Sequence, residues 1–255
     1  MIVALIICCQ TASATFYVCT NCSDCTNKIN SAVTGSIVYL TMNIASNGTC
    51  INIQNKSGVT FDCQEFVIMG SGRTSNDYAG INLINASDNT IKNCVIRRFD
   101  YALFADSSND TAYQDNTLED SCTGINSEYS DRNNFTGNII KDCECRGADL
   151  YHCEDNRFTG NQIRNSSNAL SVVRSDNNVV SSNVIDNNDV IGIHLLISSN
   201  NIISGNRISN TTDNDAGYTT NGIEIGVLCE GNQIINNTIE QNEAAYYSTN
   251  PQATR

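Results

Sequence analysis

Phe135-Thr-Gly-Asn138-Ile-Ile140, Phe158-Thr-Gly-Asn161-Gln-Ile163, Val180-Ser-Ser-Asn183-Val-Ile185 and Ile203-Ser-Gly-Asn206-Arg-Ile208 are one phrase written four times. With Asn116 before them, the asparagine recurs every 22 or 23 residues. Diverged copies lie upstream, at Ile91-Lys-Asn-Cys94-Val-Ile96, and downstream, at Ile234-Ile-Asn-Asn237-Thr-Ile239. A fixed period in this range marks a solenoid, in which each repeat packs only against its neighbours.

Each repeat has a second half, read in Gly124-Ile-Asn-Ser, Gly147-Ala-Asp-Leu, Gly192-Ile-His-Leu and Gly222-Ile-Glu-Ile. Apolar and polar residues alternate there, the two-residue period of a strand with one buried face. No run of ten or more residues carries a 3.6-residue period, so a helical solenoid is excluded. About 22 residues with three short strands and three turns make one coil of a parallel β-helix. Two roles suit the recurring asparagine. It tolerates the left-handed backbone of a sharp bend. Its amide can also bond to the same amide one coil away, at a spacing of about 4.8 Å. Asn116, Asn138, Asn161, Asn183, Asn206 and Asn237 are therefore expected to form an interior ladder, with Cys94 in the slot before its first rung.

From about Cys50 to Asn242 the chain resembles the right-handed parallel β-helix repeat proteins, a broad group of secreted carbohydrate-active and surface proteins. Gly48-Thr-Cys-Ile-Asn-Ile53 followed by Val59-Thr-Phe-Asp-Cys-Gln64 is similar to that group's first coil. The expected fold is all-β, a right-handed single-stranded parallel β-helix of about eight coils with a short N-terminal helical and strand cap. The scaffold says little about function, because it carries lyases, hydrolases, binders and inert stalks.

The segments divide accordingly. Residues 1–14 read as a signal peptide, apolar from Met1 to Cys9 and ending in the small-x-small Ala12-Ser-Ala14, with a retained N-terminal strand as the alternative. Residues 15–49 form a Cys-rich cap, with a short helix over Asp24–Val33 and a strand over Ser36–Ile44. Residues 50–242 form the β-helix, with a loop insertion near Asp213–Thr220, and residues 243–255 form a polar tail. Export to the cell surface or medium, without membrane insertion of the mature chain, is the expectation.

The chain has 255 residues, a formal charge of −13 and 13 cysteines. Such acidity disfavours nucleic acid and anionic lipid. In a secreted context the cysteines read as disulfides rather than metal ligands. The candidates are Cys19, Cys22, Cys25, Cys50, Cys63 and Cys122, with Cys143 and Cys145 competing for Cys122. Cys153 and Cys229 share a column about three coils apart, too far to bond.

Counting outward from Ile125 and Leu150 puts Asn126, Glu128, Asp149 and Tyr151 on the solvent face, with Phe104 and Asp106 one coil earlier. Phe104, Asp106, Glu128, Asp149 and Tyr151 make a candidate glycan-binding groove, since sugar faces stack on aromatic rings and carboxylates accept hydroxyl hydrogen bonds. Neighbouring carboxylates could also serve acid catalysis in a polysaccharide lyase or hydrolase. No Asp-Asp pair, Gly-His-Gly or Arg-x-Lys motif of the pectin hydrolases is present. His152 and His194 fall in different columns. A turn column of Asp131, Glu154 and Asp176 has the oxygen chemistry of a Ca²⁺ site, though Asp in turns more often caps backbone amides. No other cofactor is expected. The first reading is a structural or adhesive protein that associates with copies of itself into a filament, ahead of a glycan-binding module and an enzyme.

Overall fold

In the computed structural model, which describes residues 14–212 and 220–249, the chain winds into a three-sided parallel β-helix. Residues 1–13 and 250–255 lie outside the described residues. So do nearly all of the signal-peptide segment, most of the 213–220 insertion and the end of the tail. One side is a sheet of ten parallel strands, from Phe16–Cys19 to Gln233–Ile235. The other two sides form a second sheet of sixteen strands, joined where Ile139–Tyr151 and Gln162–Val173 run continuously around a corner. Here they are the first, second and third faces in chain order. The number of turns is about ten rather than eight, because Phe16–Cys19 and Ile37–Leu40 of the segment read as a cap extend the first face.

The strands form because inward positions are apolar and stack like on like. Ile96, Leu118, Ile140, Ile163, Ile185 and Ile208 are in register on the second face, all fully buried. On the first face the Tyr113 and Phe135 rings stack at 4.8 Å and 6°, and Phe158 follows at 5.6 Å. The glycines of the second half-repeat are places of close approach. A Cβ on Gly147 would lie 2.5 Å from the Ala169 carbonyl oxygen of the next coil.

The corners follow one rule. A residue with positive φ makes the bend, and the next residue turns its polar side chain inward. Before the ladder asparagines the bend falls on Asp115 (φ 53), Gly137 (φ 69), Gly160 (φ 67), Ser182 (φ 56) and Gly205 (φ 63). The left-handed role assigned to the asparagine therefore belongs to its predecessor, which explains the Gly in the phrase. The amide role is the one the asparagines perform. Each Nδ2 donates to the next Oδ1, from Asn116 through Asn138, Asn161, Asn183 and Asn206 to Asn237, at 2.9–3.1 Å. Each Oδ1 also accepts from the preceding asparagine's backbone N–H.

A second asparagine ladder, absent from the sequence reading, fills another corner at Asn133, Asn156, Asn178, Asn201 and Asn232. The same corner has an earlier bend, where Ser108, Ser130, Cys153, Ser175 and Ser198 each fill the slot after a positive-φ residue.

Among the described residues there are four disulfides: Cys19–Cys25, Cys22–Cys50, Cys63–Cys94 and Cys122–Cys145. Cys143 is a correction to the candidate set. It occupies an inward corner slot equivalent to Ser121 and Ser166, whereas a register shift between Cys143 and Arg146 lets Cys145 meet Cys122 on the outside. Cys94, not among the candidates, bonds Cys63 at the head of the amide ladder, where a covalent bond replaces the amide contact. Cys143 and Cys153 are buried free thiols. Burial pushes them up to about 12 and about 11, respectively. Iodoacetamide at pH 8 is therefore expected to spare both in the native protein and to label both in urea, by peptide mapping.

The cap helix spans Cys22–Ser31, two residues earlier than predicted, because the Asn21 side chain accepts the Asp24 amide and starts it there. It closes the open edge of the third face. Thr26 Oγ1 accepts the Asn52 amide and Asn30 Oδ1 accepts that of Gln54. These are amides of an edge strand that would otherwise invite another chain.

Candidate functional site: a groove along the third face

The third face carries the outward columns predicted to form the groove. Phe104 pairs in register with Asn126 and Asn126 with Asp149, while Asp106 pairs with Glu128 and Glu128 with Tyr151. Adjacent coils thus set these side chains one rung apart on a rigid sheet. The surface between them is concave. A cleft of about 310 Å³ is lined by Asp77, Asn82, Ile84, Tyr101, Phe104 and Glu128. A second, of about 410 Å³, shares Tyr101 and Glu128 and continues over Asn126, Arg146, Asp149 and Tyr151. Together they form one groove crossing successive coils. Asp106 stands beside it, with its carboxylate bonded to the Ser107 hydroxyl at 2.8 Å.

The sequence reading missed Tyr101, Asp77 and Arg146. Tyr101 tilts against Phe104 with ring centroids 5.4 Å apart, and its hydroxyl donates to Asp77 at 3.3 Å. Burial, then the nearby Asp77 and Glu128, push the Tyr101 phenol up, so it remains a neutral hydrogen-bonding group at neutral pH. Arg146 pairs with Asp149 at 3.1 Å, and Asn126 Nδ2 donates to Glu128 at 3.0 Å. The Cys122–Cys145 disulfide lies in the same wall.

Asp77 is placed by the 71–78 loop, which Asp100 organises. Its carboxylate accepts from the Thr74, Ser75 and Tyr78 amides and from the Thr74 hydroxyl at 2.9–3.1 Å. Burial raises the pKa of Asp100, but these donors outweigh it and hold the group below its ordinary 3.8. A depressed carboxylate stabilises the fold above its unfolded pKa and loses that contribution as pH falls through the folded value. Hydrogen exchange at Ser75 and Tyr78 is therefore expected to be slow at pH 5 and, corrected for intrinsic rates, to speed up below pH 3. Asp100→Asn should speed it about tenfold at pH 5, the equivalent of about 1.4 kcal/mol.

Beyond Tyr151 the surface turns a corner to a third cleft of about 270 Å³. There Tyr129 stacks on His152 at 5.1 Å, beside Asp131, Glu154 and Arg174. The acidic column read as a Ca²⁺ candidate runs through it, and its carboxylates serve the turns. Asp131 accepts the Glu154 amide at 2.8 Å and Asp176 that of Ser199 at 2.6 Å. His194 lies elsewhere, on the third face, in register with Ser171 and Glu224. Burial lowers its pKa despite Glu224, whose Oε1 lies 3.8 Å from its Nε2.

A right-handed parallel β-helix with an aromatic and acidic groove on one sheet is the class the fold and surface define. The chain belongs to the family described as NosD, periplasmic copper-binding protein, whose profile matches residues 29–221. No curated protein matches. Among solved structures, the enzymatically active domain of bacteriophage CBA120 tailspike protein 2 has a TM-score of 0.62 at 13% identity, covering 93% of this chain and 41% of that one. A mutant of the periplasmic alginate epimerase AlgG has 0.61 at 15%, covering 82% and 60%. The A-module of an Azotobacter vinelandii mannuronan C-5 epimerase has 0.50 at 14%, covering 96% and 97%. The chain thus spans less than two thirds of each of the first two, 41% and 60%, and at these identities the likeness is one of fold.

Among the described residues the donor set does not support copper chemistry. Copper selects imidazole or soft sulfur ligands. The two histidines lie in different columns, eight of the described cysteines are in disulfides, and the other three described, Cys143, Cys153 and Cys229, are buried in corner slots. Among the described residues no group of three or more His, Cys, Asp or Glu could hold a metal ion. No helix there is long and apolar enough to cross a membrane. The periplasmic family and the disulfides indicate a periplasmic or extracellular location.

Proposed function

We propose that the protein binds an extended glycan along the groove of the third face. The observation that carries this reading is one groove rimmed by Tyr101 and Phe104 on one coil and by Tyr151 two coils further on, around Glu128, Asp149 and Arg146. Aromatic rings offer flat apolar platforms for sugar faces, and the carboxylates and guanidinium offer fixed acceptors and donors for hydroxyls. Fold neighbours named for alginate epimerisation and a tailspike enzyme support carbohydrate as the ligand class. The sequence alone ranked a structural or filament role first, and the concave groove with its aromatic rim moves the preference to binding. Binding is preferred to cleavage because Asp149 is held by Arg146 and Glu128 by Asn126, which suits positioning of hydroxyls.

A glycan array tests the proposal. Hits are expected, and Tyr151→Ala or Asp149→Ala should each weaken them about tenfold, a loss on the scale of one good contact. An array without hits, or hits indifferent to both substitutions, would reject it. Release of reducing ends by the wild-type protein from a bound glycan would convert the reading to an enzyme.

A further inference from the structure

The charges of the groove point to a narrower ligand. Its two clefts are lined by three carboxylates, Asp77, Glu128 and Asp149, and by one cation, Arg146. That cation is already paired, 3.1 Å from Asp149. Asp106, in register with Glu128, adds a fourth carboxylate at the rim. The two carboxylates of the first cleft, Asp77 and Glu128, flank the ring platform of Tyr101 and Phe104 with no cation among the lining residues. The charges that act on the Tyr101 phenol, those of Asp77, Glu128 and Asp100, are all negative and oppose its ionisation. Around the groove the whole chain is acidic, with a formal charge of −13.

A sugar carboxylate or sulfate seated on these rings would lie against like charges in a partly desolvated cleft, where their repulsion is stronger than in bulk water. A hydroxyl or an amino group would meet acceptors. We infer that the groove takes a glycan free of carboxylate and sulfate, bound through hydroxyl or amino groups that donate to Glu128, Asp77 and Asp149, and that it rejects polyuronates. The inference rests on the glycan-binding reading above. It separates this chain from the alginate and mannuronan epimerases that share its fold.

The test is a glycan array followed by titration calorimetry at 50 and 500 mM NaCl. The calorimetry uses the strongest array hit and a mannuronate hexamer, each with and without calcium. The strongest hits are expected to be neutral or amine-bearing. The mannuronate hexamer should bind at least about 100-fold more weakly than the best hit, and the gap should narrow at high salt as the groove's field is screened. Glu128→Gln should improve mannuronate binding about threefold to tenfold by removing one like charge. Circular dichroism would verify that the variant is folded, and Asp77→Asn provides an independent second substitution. A polyuronate or sulfated glycan among the strongest hits, with or without calcium, would overturn the inference while leaving glycan binding intact. An array with no hits at all would overturn both.

Discussion

Asn161→Ala is expected to lower the melting temperature by about 10 °C, corresponding to roughly 4 kcal/mol in a chain of this size. Asn161 is fully buried. Its Oδ1 accepts the Asn138 backbone N–H at 2.9 Å and the Asn138 side-chain amide at 3.0 Å. Its Nδ2 donates to the Phe135 carbonyl at 2.8 Å and to Asn183 Oδ1 at 3.1 Å. Alanine removes all four contacts and leaves a small cavity. Buried groups left without partners cost about 1–3 kcal/mol each, and the total is less than their sum because the ladder relaxes locally. Arg157→Ala, at an exposed position one strand earlier, should change stability by less than about 0.5 kcal/mol. Thermal unfolding followed by circular dichroism measures both. An Asn161→Ala loss as small as that of Arg157→Ala would mean that the ladder is decorative.

Replacing both rings at the groove's centre, Tyr101→Ala with Phe104→Ala, should weaken the best glycan about 100-fold, or close to 2.8 kcal/mol. The two rings touch at 5.4 Å and line one cleft, so they present a single platform. Each single substitution should account for about tenfold. The melting temperature should hardly move, since both side chains face outward and are only half-buried. Calorimetry on the array's strongest hit measures the loss. Retained affinity in a folded double variant would place the ligand elsewhere.

The periodic asparagines made the solenoid legible, because identical side chains at 22- and 23-residue intervals have a direct three-dimensional meaning in a stacked coil. The second asparagine ladder has nearly the same spacing, yet its members sit in Asp131-Arg-Asn133, Glu154-Asp-Asn156 and Asp176-Asn-Asn178, where the acids drew the eye to a metal site. Alternation from Ile125 correctly ordered Phe104, Glu128, Asp149 and Tyr151, since the third-face strands are regular there. It failed at two places for identifiable reasons. The register shift between Cys143 and Arg146 breaks the two-residue count, which misplaced Cys143 and hid Arg146. Asp77 comes from the 71–78 loop, whose path depends on Asp100 rather than on any periodic signal.

A crystal structure of the protein with the oligosaccharide that ranks first on the array puts the central proposal at greatest risk. Sugar rings should lie flat on Tyr101 and Phe104 and continue across the coils to Tyr151, with hydroxyl or amino groups within hydrogen-bonding distance of Glu128 and Asp149. A ligand seated on the first or second face, or at the Tyr129–His152 corner with the groove empty, would contradict it.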